Sequence, residues 1–332
     1  MEARLNPVVR PLEENTLMGP LDPGARRIVD AVIAASAPGP EVGTPESARR
    51  SFRESRRALA PAVPEVAYIE DIEAVDTHPR MRLYRGWGTA SGESLPVLLF
   101  FHSGGWVSGD LETHDIACRA IANAARCAVI AVDYALAPER PFPAAIDDAL
   151  AAYEHISRSG PALNVDTSRI AVGGDSAGAN IAAVLALSLR DHAATPSGQI
   201  LLYPATCFPA QTASRRQFES GPTLNGPALR WFASHYLSDP NTAMDWRASP
   251  LLAEDHSSLP PALIVTCGHD PLRDEGLAYA DKLEAAGVSV RRRHFPGQIH
   301  GFLTMGGVMP ETTILIGEVA AELQRVFTAP PG

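Results

Sequence analysis

The sequence predicts an α/β protein: a mostly parallel sheet with helices on both faces. Two observations carry that reading. From about residue 65 onward, short continuous apolar runs alternate with helical patterns, and continuous apolar strands belong to sheets covered on both faces. One junction also has the form strand, sharp turn, helix. Arg169-Ile170-Ala171-Val172-Gly173 runs into Gly174-Asp175-Ser176-Ala177-Gly178, and the helical pattern Ala179 to Leu187 follows at once.

The elements follow in order. Residues 1–60 are punctuated by proline and partly helical; Pro23 suits a first helical turn, and Arg27, Ile28, Val29, Val32 and Ile33 then form one amphipathic face. Val66 to Val75 and Met81 to Trp87 read as strands joined around Asp76-Thr77-His78-Pro79. Buried strands are predicted at 95–101, 128–134, 169–173, 199–203, 262–267 and 288–295, which makes eight strands in all. Helices are predicted at 111–126, 143–158, 177–190, 274–286 and 311–326. The alternation pauses from 205 to 258, where Phe208, Phe218, Trp231, Phe232, Tyr236 and Trp246 stand among turn residues. An insertion over the carboxyl edge of the sheet explains the pause. The chain then divides into an N-terminal segment (1–60), a first α/β part (61–204), the insertion (205–258) and a second α/β part (259–332).

Composition narrows the function classes. A chain of 332 residues, 45% hydrophobic and 20% charged, holds one large α/β domain with an insertion, or two domains. The net charge of −10 argues against a nucleic-acid partner and against anionic membrane surfaces. Met1 to Pro7 opens no signal-type stretch, and no run approaches the ~20 apolar residues of a membrane helix. The expectation is a cytoplasmic protein with no stable membrane association. Cys118, Cys127, Cys207 and Cys267 form no C-x-x-C pair and lie in or beside apolar segments. Buried reduced thiols are expected, with no disulfide and no metal site.

The chemistry centres on Ser176. A bare G-x-S-x-G pattern arises by chance in roughly one chain of this length in ten, so its context and partners must decide. Between a strand and a helix, the glycines permit a strained turn that lifts the serine oxygen toward the helix N-terminus. There, N–H groups and the helix dipole favour developing negative charge. A serine hydroxyl needs a base, and the base needs a carboxylate to hold its tautomer. Asp270 and His300 each follow the carboxyl end of a predicted strand, in the chain order Ser, Asp, His. Asp274 and Glu275 open the next helix, where acids suit the dipole, so Asp270 is favoured as the acid. His269 and His294 are alternatives to His300; His294 falls inside a strand, whereas His300 sits in a glycine-flanked loop. Oxyanion donors are expected from Ala177 and from the glycine loop His102-Ser103-Gly104-Gly105-Trp106 that follows strand 95–101.

These residues resemble the bacterial hormone-sensitive-lipase-like carboxylesterases of the α/β-hydrolase superfamily. His102 to Trp106 is similar to the family's H-G-G-G-W loop, Gly174 to Gly178 to its G-D-S-A-G elbow, Asp270 to Glu275 to its D-P-L-R-D-E segment, and His300 to Phe302 to its H-G-F segment. Asp133 to Ala145 resembles its Y-R-L-A-P-E-x-P-F-P-A block, and the matches span roughly residues 65–305. The resemblance implies an α/β-hydrolase fold whose helical cap is built from the N-terminal segment and the 205–258 insertion. It implies cofactor-free hydrolysis of short- to medium-chain carboxylic esters, with Gly104 and Gly105 donating to the oxyanion. A homodimer is a further expectation from the family. Ser103 departs from the pattern by replacing the first glycine; in left-handed backbone a serine is strained, and its hydroxyl bears on the loop's geometry. Candidate pocket residues are Ser103, Trp106, Asp175, Phe208, Trp231 and Phe232, although such aromatics more often pack a core. The same triad serves an amidase, lactonase or deacetylase. The non-catalytic plant gibberellin receptors, which resemble this family, lack the histidine that stands here at 300.

Overall fold

The computed structural model describes residues 17–36, 39–192 and 194–328; the reading of Met1 to Pro7 lies outside them. Eight strands form one sheet in the order β1-β2-β4-β3-β5-β6-β7-β8. They are β1 (Tyr68–Ile72), β2 (Met81–Arg85), β3 (Leu95–Phe101), β4 (Ala128–Val132), β5 (Val165–Asp175), β6 (Gly198–Leu202), β7 (Ala262–His269) and β8 (Val290–Ile299). β2 runs antiparallel to both neighbours, and β3 through β8 are mutually parallel.

Alternation along the central strands splits the core into two layers. Val97, Leu99 and Phe101 of β3, with Ile130 and Val132 of β4, face one layer. Leu98 and Phe100, with Val129 and Ala131, face the other. Helices α4 (Ala144–Ser159), α5 (Ala177–Ser188) and α8 (Arg273–Ala285) fill the first layer, and α3 (Leu111–Ala125) and α9 (Glu311–Thr328) the second. Every residue from Ala177 to Leu187 is buried, as expected of a helix that is apolar all round.

Several expectations need correction. The 288–295 strand runs on to Ile299 after a shift in register between Cys267 and His269. The N-terminal segment holds two helices, α1 (Pro23–Ala35) and α2 (Pro45–Leu59). On α1, Gly24, Ala25 and Val29 are buried, whereas Arg27 is exposed and donates to the carbonyl of Val308 at 2.9 Å. Ile33 is 60% exposed, so it does not share the buried face. Within 205–258 lie α6 (Ala213–Gln217), α7 (Gly226–Tyr236) and two short 3-10 turns. All four cysteines are free and buried.

Candidate active site

From β3 the chain crosses to β4 on one side and returns to β5 on the other. Such a switch in strand order opens a crevice at the carboxyl ends of the strands. Four strand ends meet there: the loop after β3, Ser176 after β5, Asp270 after β7 and His300 after β8.

The elbow is tight because backbone passes through it. A Cβ on Gly178 would lie 1.9 Å from the carbonyl oxygen of Phe101, and one on Gly174 would lie 2.3 Å from the same atom. Ser176 itself has φ 56° and ψ −116°, a conformation that costs about 1–3 kcal/mol in a non-glycine residue. Its N–H donates to the Leu202 carbonyl at 2.8 Å, which fixes the turn onto β6.

Ser176 Oγ lies 2.7 Å from His300 Nε2, and His300 Nδ1 lies 2.7 Å from Asp270 Oδ2. An ionised carboxylate only accepts. Nδ1–H therefore donates to Asp270, and Nε2 is left to accept from the serine hydroxyl. Asp270 is wholly buried, and its Oδ1 accepts the Leu272 N–H at 2.8 Å. Tyr203 meets the His300 ring edge-on at 4.9 Å. The other candidates go elsewhere. His269 Nε2 bonds the Gly19 carbonyl at 2.9 Å, and His294 bonds Thr266 Oγ1 and the Leu17 carbonyl, both at 2.8 Å. Asp274 accepts from Ser214 N–H and Arg273 Nε. Glu275 is buried, bonding the Thr206 and Cys207 N–H groups and Arg215.

The loop after β3 is held from below. Gly104 (φ 129°), Gly105 (φ 61°) and Trp106 (φ 60°) all have left-handed backbone. At Gly104 a Cβ would lie 2.0 Å from the Ser108 carbonyl oxygen, and at Gly105 it would lie 2.3 Å from the Phe232 ring. Among the described residues, no acceptor takes the N–H of Gly104, Gly105 or Ala177. Ser103 is not among the left-handed residues, so serine is accommodated there without that strain. Its N–H donates to Asp175 Oδ1 at 2.9 Å, and its Oγ lies 3.1 Å from His114 Nε2. Ser103→Ala should therefore lower stability by about 1 kcal/mol, read as a shifted urea midpoint at unchanged slope.

Asp175 is a support beneath the pocket and not part of its wall, since it is fully buried. Burial pushes its carboxyl up, but His114, Ser103 and His300 outweigh that, and the net shift is downward. Tyr134 OH donates to the His102 carbonyl at 2.7 Å. Arg49 of α2 donates to the Val107 and Ala137 carbonyls and grips Glu139 with both arms of its guanidinium. The Asp133–Ala145 block thus braces this loop.

His102 supplies an acid-sensitive element. It is 3% exposed, and its Nδ1 lies 2.8 Å from the Ser103 carbonyl. Burial, reinforced by His114, pushes its imidazole down to about 4, against about 6.5 in an unfolded chain. Between those values the unfolded chain binds a proton that the native chain does not. Stability from this group is thus complete above pH about 6.5 and lost as pH falls toward 4, by at most about 3 kcal/mol. His102→Gln should flatten the fall in unfolding free energy between pH 7 and pH 4.5; an unchanged slope refutes this.

Above Ser176 and His300 opens a cavity of about 750 Å³. Its walls include Ile28 and Val32 of α1, Phe52, Arg56 and Leu59 of α2, Ser103 to Trp106, Phe208, and Leu229 and Phe232 of α7. Trp106 stacks on Tyr236 at 4.6 Å. Trp231 does not line the cavity; its ring meets Phe232 at 5.2 Å and His235 at 4.5 Å, both edge-on. The sequence reading placed residues 1–60 in the cap but named none of the α2 residues as a wall. No cluster of three or more His, Cys, Asp or Glu among the described residues is arranged to hold a metal ion, and no described helix is long and apolar enough to cross a membrane.

A nucleophile-elbow serine, a strand-end aspartate and a strand-end histidine on this sheet define an α/β hydrolase. A family model described as alpha/beta hydrolase fold matches residues 98–304. The chain belongs to that family, in its hormone-sensitive-lipase-like carboxylesterase branch. It is 46% identical to the carboxylic ester hydrolase LipN of Mycobacterium tuberculosis over 256 residues, 73% of this chain and 67% of LipN. It is 37% identical to carboxylesterase NlhH of the same species over 329 residues, 96% of this chain and 100% of NlhH. Ethyl acetate hydrolase of Pseudomonas putida is 38% identical over 84% of this chain and 90% of its own length. Among solved structures, an ester hydrolase from the metagenome of Lake Arreo, complexed with a bipyridine phosphonate derivative, superposes with TM-score 0.89 at 40% identity, covering 93% of this chain and all of that one.

Proposed function

We propose that the chain hydrolyses short- to medium-chain carboxylic esters through an acyl-enzyme on Ser176. The observation that carries the reading is the unbroken line Ser176 Oγ, His300, Asp270, with both links at 2.7 Å, at the floor of the cavity. His300 Nε2 takes the serine proton as Oγ attacks the ester carbonyl. The N–H groups of Gly104, Gly105 and Ala177, free of protein acceptors among the described residues, donate to the oxyanion. His300 then protonates the leaving alcohol, and a water activated by the same nitrogen frees the acid. Asp270 holds the tautomer and stabilises the imidazolium. Helices α1 and α2 and residues 205–258 act as the cap. Its walls are mainly apolar and its volume is within the usual range of small-molecule sites.

A fluorophosphonate probe should label Ser176 covalently, and 4-nitrophenyl hexanoate should turn over faster than the matched anilide. A protein that neither takes the label nor cleaves any ester refutes the proposal.

A further inference from the structure

In a chain of net charge −10, the ionisable side chains that line the cavity carry a formal excess of positive charge. Four arginines line it (Arg56, Arg215, Arg216 and Arg230) against two glutamates, Glu219 and Glu275. Two of the arginines are neutralised locally, Arg215 by Glu275 and Arg230 by Glu219, each at 2.7 Å. Arg216 is exposed and donates to the Gln211 carbonyl at 2.7 Å. Arg56 is different. No described carboxylate, carbonyl or hydroxyl accepts from it, and its Nε is sealed from solvent with no hydrogen-bond partner.

The Arg56 side chain is nevertheless held in place. Its guanidinium carbon lies 4.5 Å from the centre of the Phe52 ring. A Cβ added to Gly301 would lie 3.6 Å from Arg56 Nη2, so the guanidinium stands against the turn that follows His300. Asp175 makes no hydrogen bond or ion pair with it; its oxygens bond Ser103, His114 and Tyr203. Burial lowers the guanidinium's pKa, opposed by Asp175 and Tyr203, yet an arginine stays charged in a protein. A partly buried cation with no hydrogen-bond partner among the described residues is costly unless a ligand pairs with it.

From this geometry we infer that Arg56 is an anion-binding subsite, and that the ester taken by this site carries a carboxylate on its acyl or its alcohol half. The inference rests on the ester-hydrolase reading above and names the substrate class within it. A guanidinium fork donates two parallel hydrogen bonds to a carboxylate, and Arg56 and Ser176 line the same mainly apolar cavity.

Two isosteric pairs test it. The 4-nitrophenyl half-ester of adipic acid is compared with 4-nitrophenyl hexanoate, which places the charge on the acyl half. The butyrate ester of 4-hydroxybenzoate is compared with that of 4-hydroxybenzamide, which places it on the alcohol half. Ser176→Ala provides the blank. In one pair, the ratio of kcat/KM for the anionic over the neutral ester should fall at least about tenfold on Arg56→Gln and recover in part with Arg56→Lys. In the wild type the same ratio should shrink as salt rises from about 0.01 to about 1 M. The pair that responds identifies the half that carries the charge. Ratios unchanged by Arg56→Gln in both pairs overturn the subsite. Absence of turnover with all four esters instead refutes ester hydrolysis. Calorimetric titration of adipate then reads the subsite alone: weaker binding to Arg56→Gln than to wild type supports it, and equal binding overturns it.

Discussion

Replacing Ser176 by Ala is expected to lower kcat on 4-nitrophenyl hexanoate by about 10⁶-fold, the loss typical when a triad loses its nucleophile. Without Oγ no acyl-enzyme forms, and the remaining machinery can only polarise the carbonyl toward water. In the proposed triad the three side chains act as one unit, so Ser176→Ala combined with His300→Ala should be scarcely slower than Ser176→Ala alone. The fold should survive. The strained backbone at φ 56° is held by the Ser176 N–H to Leu202 bond and by the Ala205 N–H to the Ser176 carbonyl, and alanine keeps the Cβ that sets that strain. Only the 2.7 Å bond from Oγ to His300 is lost, which costs about 1 kcal/mol. Steady-state kinetics and urea unfolding on the same preparation separate the two effects. Turnover within tenfold of wild type would sink the assignment of Ser176.

The strands of the sheet and the Ser, Asp, His order were legible because both are written locally. Apolar runs mark buried strands, and the elbow needs its glycines within five residues. What was not legible depends on contacts made at long range. Helix α2 reads Pro-Glu-Ser-Ala-Arg-Arg-Ser-Phe-Arg-Glu-Ser-Arg-Arg-Ala-Leu and buries only Ala48; its apolar face is a thin stripe, Ala48, Phe52 and Leu59, in a run dominated by charged and polar residues. It stands instead on the Thr44–Ser47 capping box and on the reach of Arg49 to Val107, Ala137 and Glu139. Only the helical period, which sets Arg56 four residues after Phe52, separates Arg56, which faces the cavity, from Arg57, which is exposed. Strand β8 was read as ending at Phe295, just before Pro296 and Gly297. At the edge of a sheet proline is tolerated, and the strand continues to Ile299, which pairs with His269. That extension sets His300 directly at a strand end, where the sequence reading had a glycine-flanked loop after the strand. Asp175 shows the reverse case: the motif named it, but only the packing shows that it bears Ser103 and Tyr203 from beneath.

Asp270→Asn should lower kcat by about 10⁴-fold while leaving the site almost unchanged in shape. The argument lies in the two oxygens of a fully buried carboxylate. Oδ1 accepts the Leu272 N–H at 2.8 Å, and Oδ2 accepts His300 Nδ1–H at 2.7 Å. An asparagine has one acceptor oxygen to share between them. The backbone N–H of Leu272 cannot turn away, so the amide oxygen is drawn to it and the NH₂ faces His300. Nδ1 must then accept, the imidazole proton moves to Nε2, and Nε2–H points at Ser176 Oγ. The ring keeps its place but can no longer take the serine's proton. A purely structural role for Asp270 predicts a different pattern, with lowered stability and an unchanged proton on Nδ1. Nitrogen-15 NMR of the histidine ring reads the tautomer directly, and urea unfolding reads the stability. Asp274→Asn provides the contrast: its carboxylate serves Ser214 and Arg273, so kcat should stay near that of the wild type. Equal losses in the two variants would remove Asp270 from the line of proton transfer.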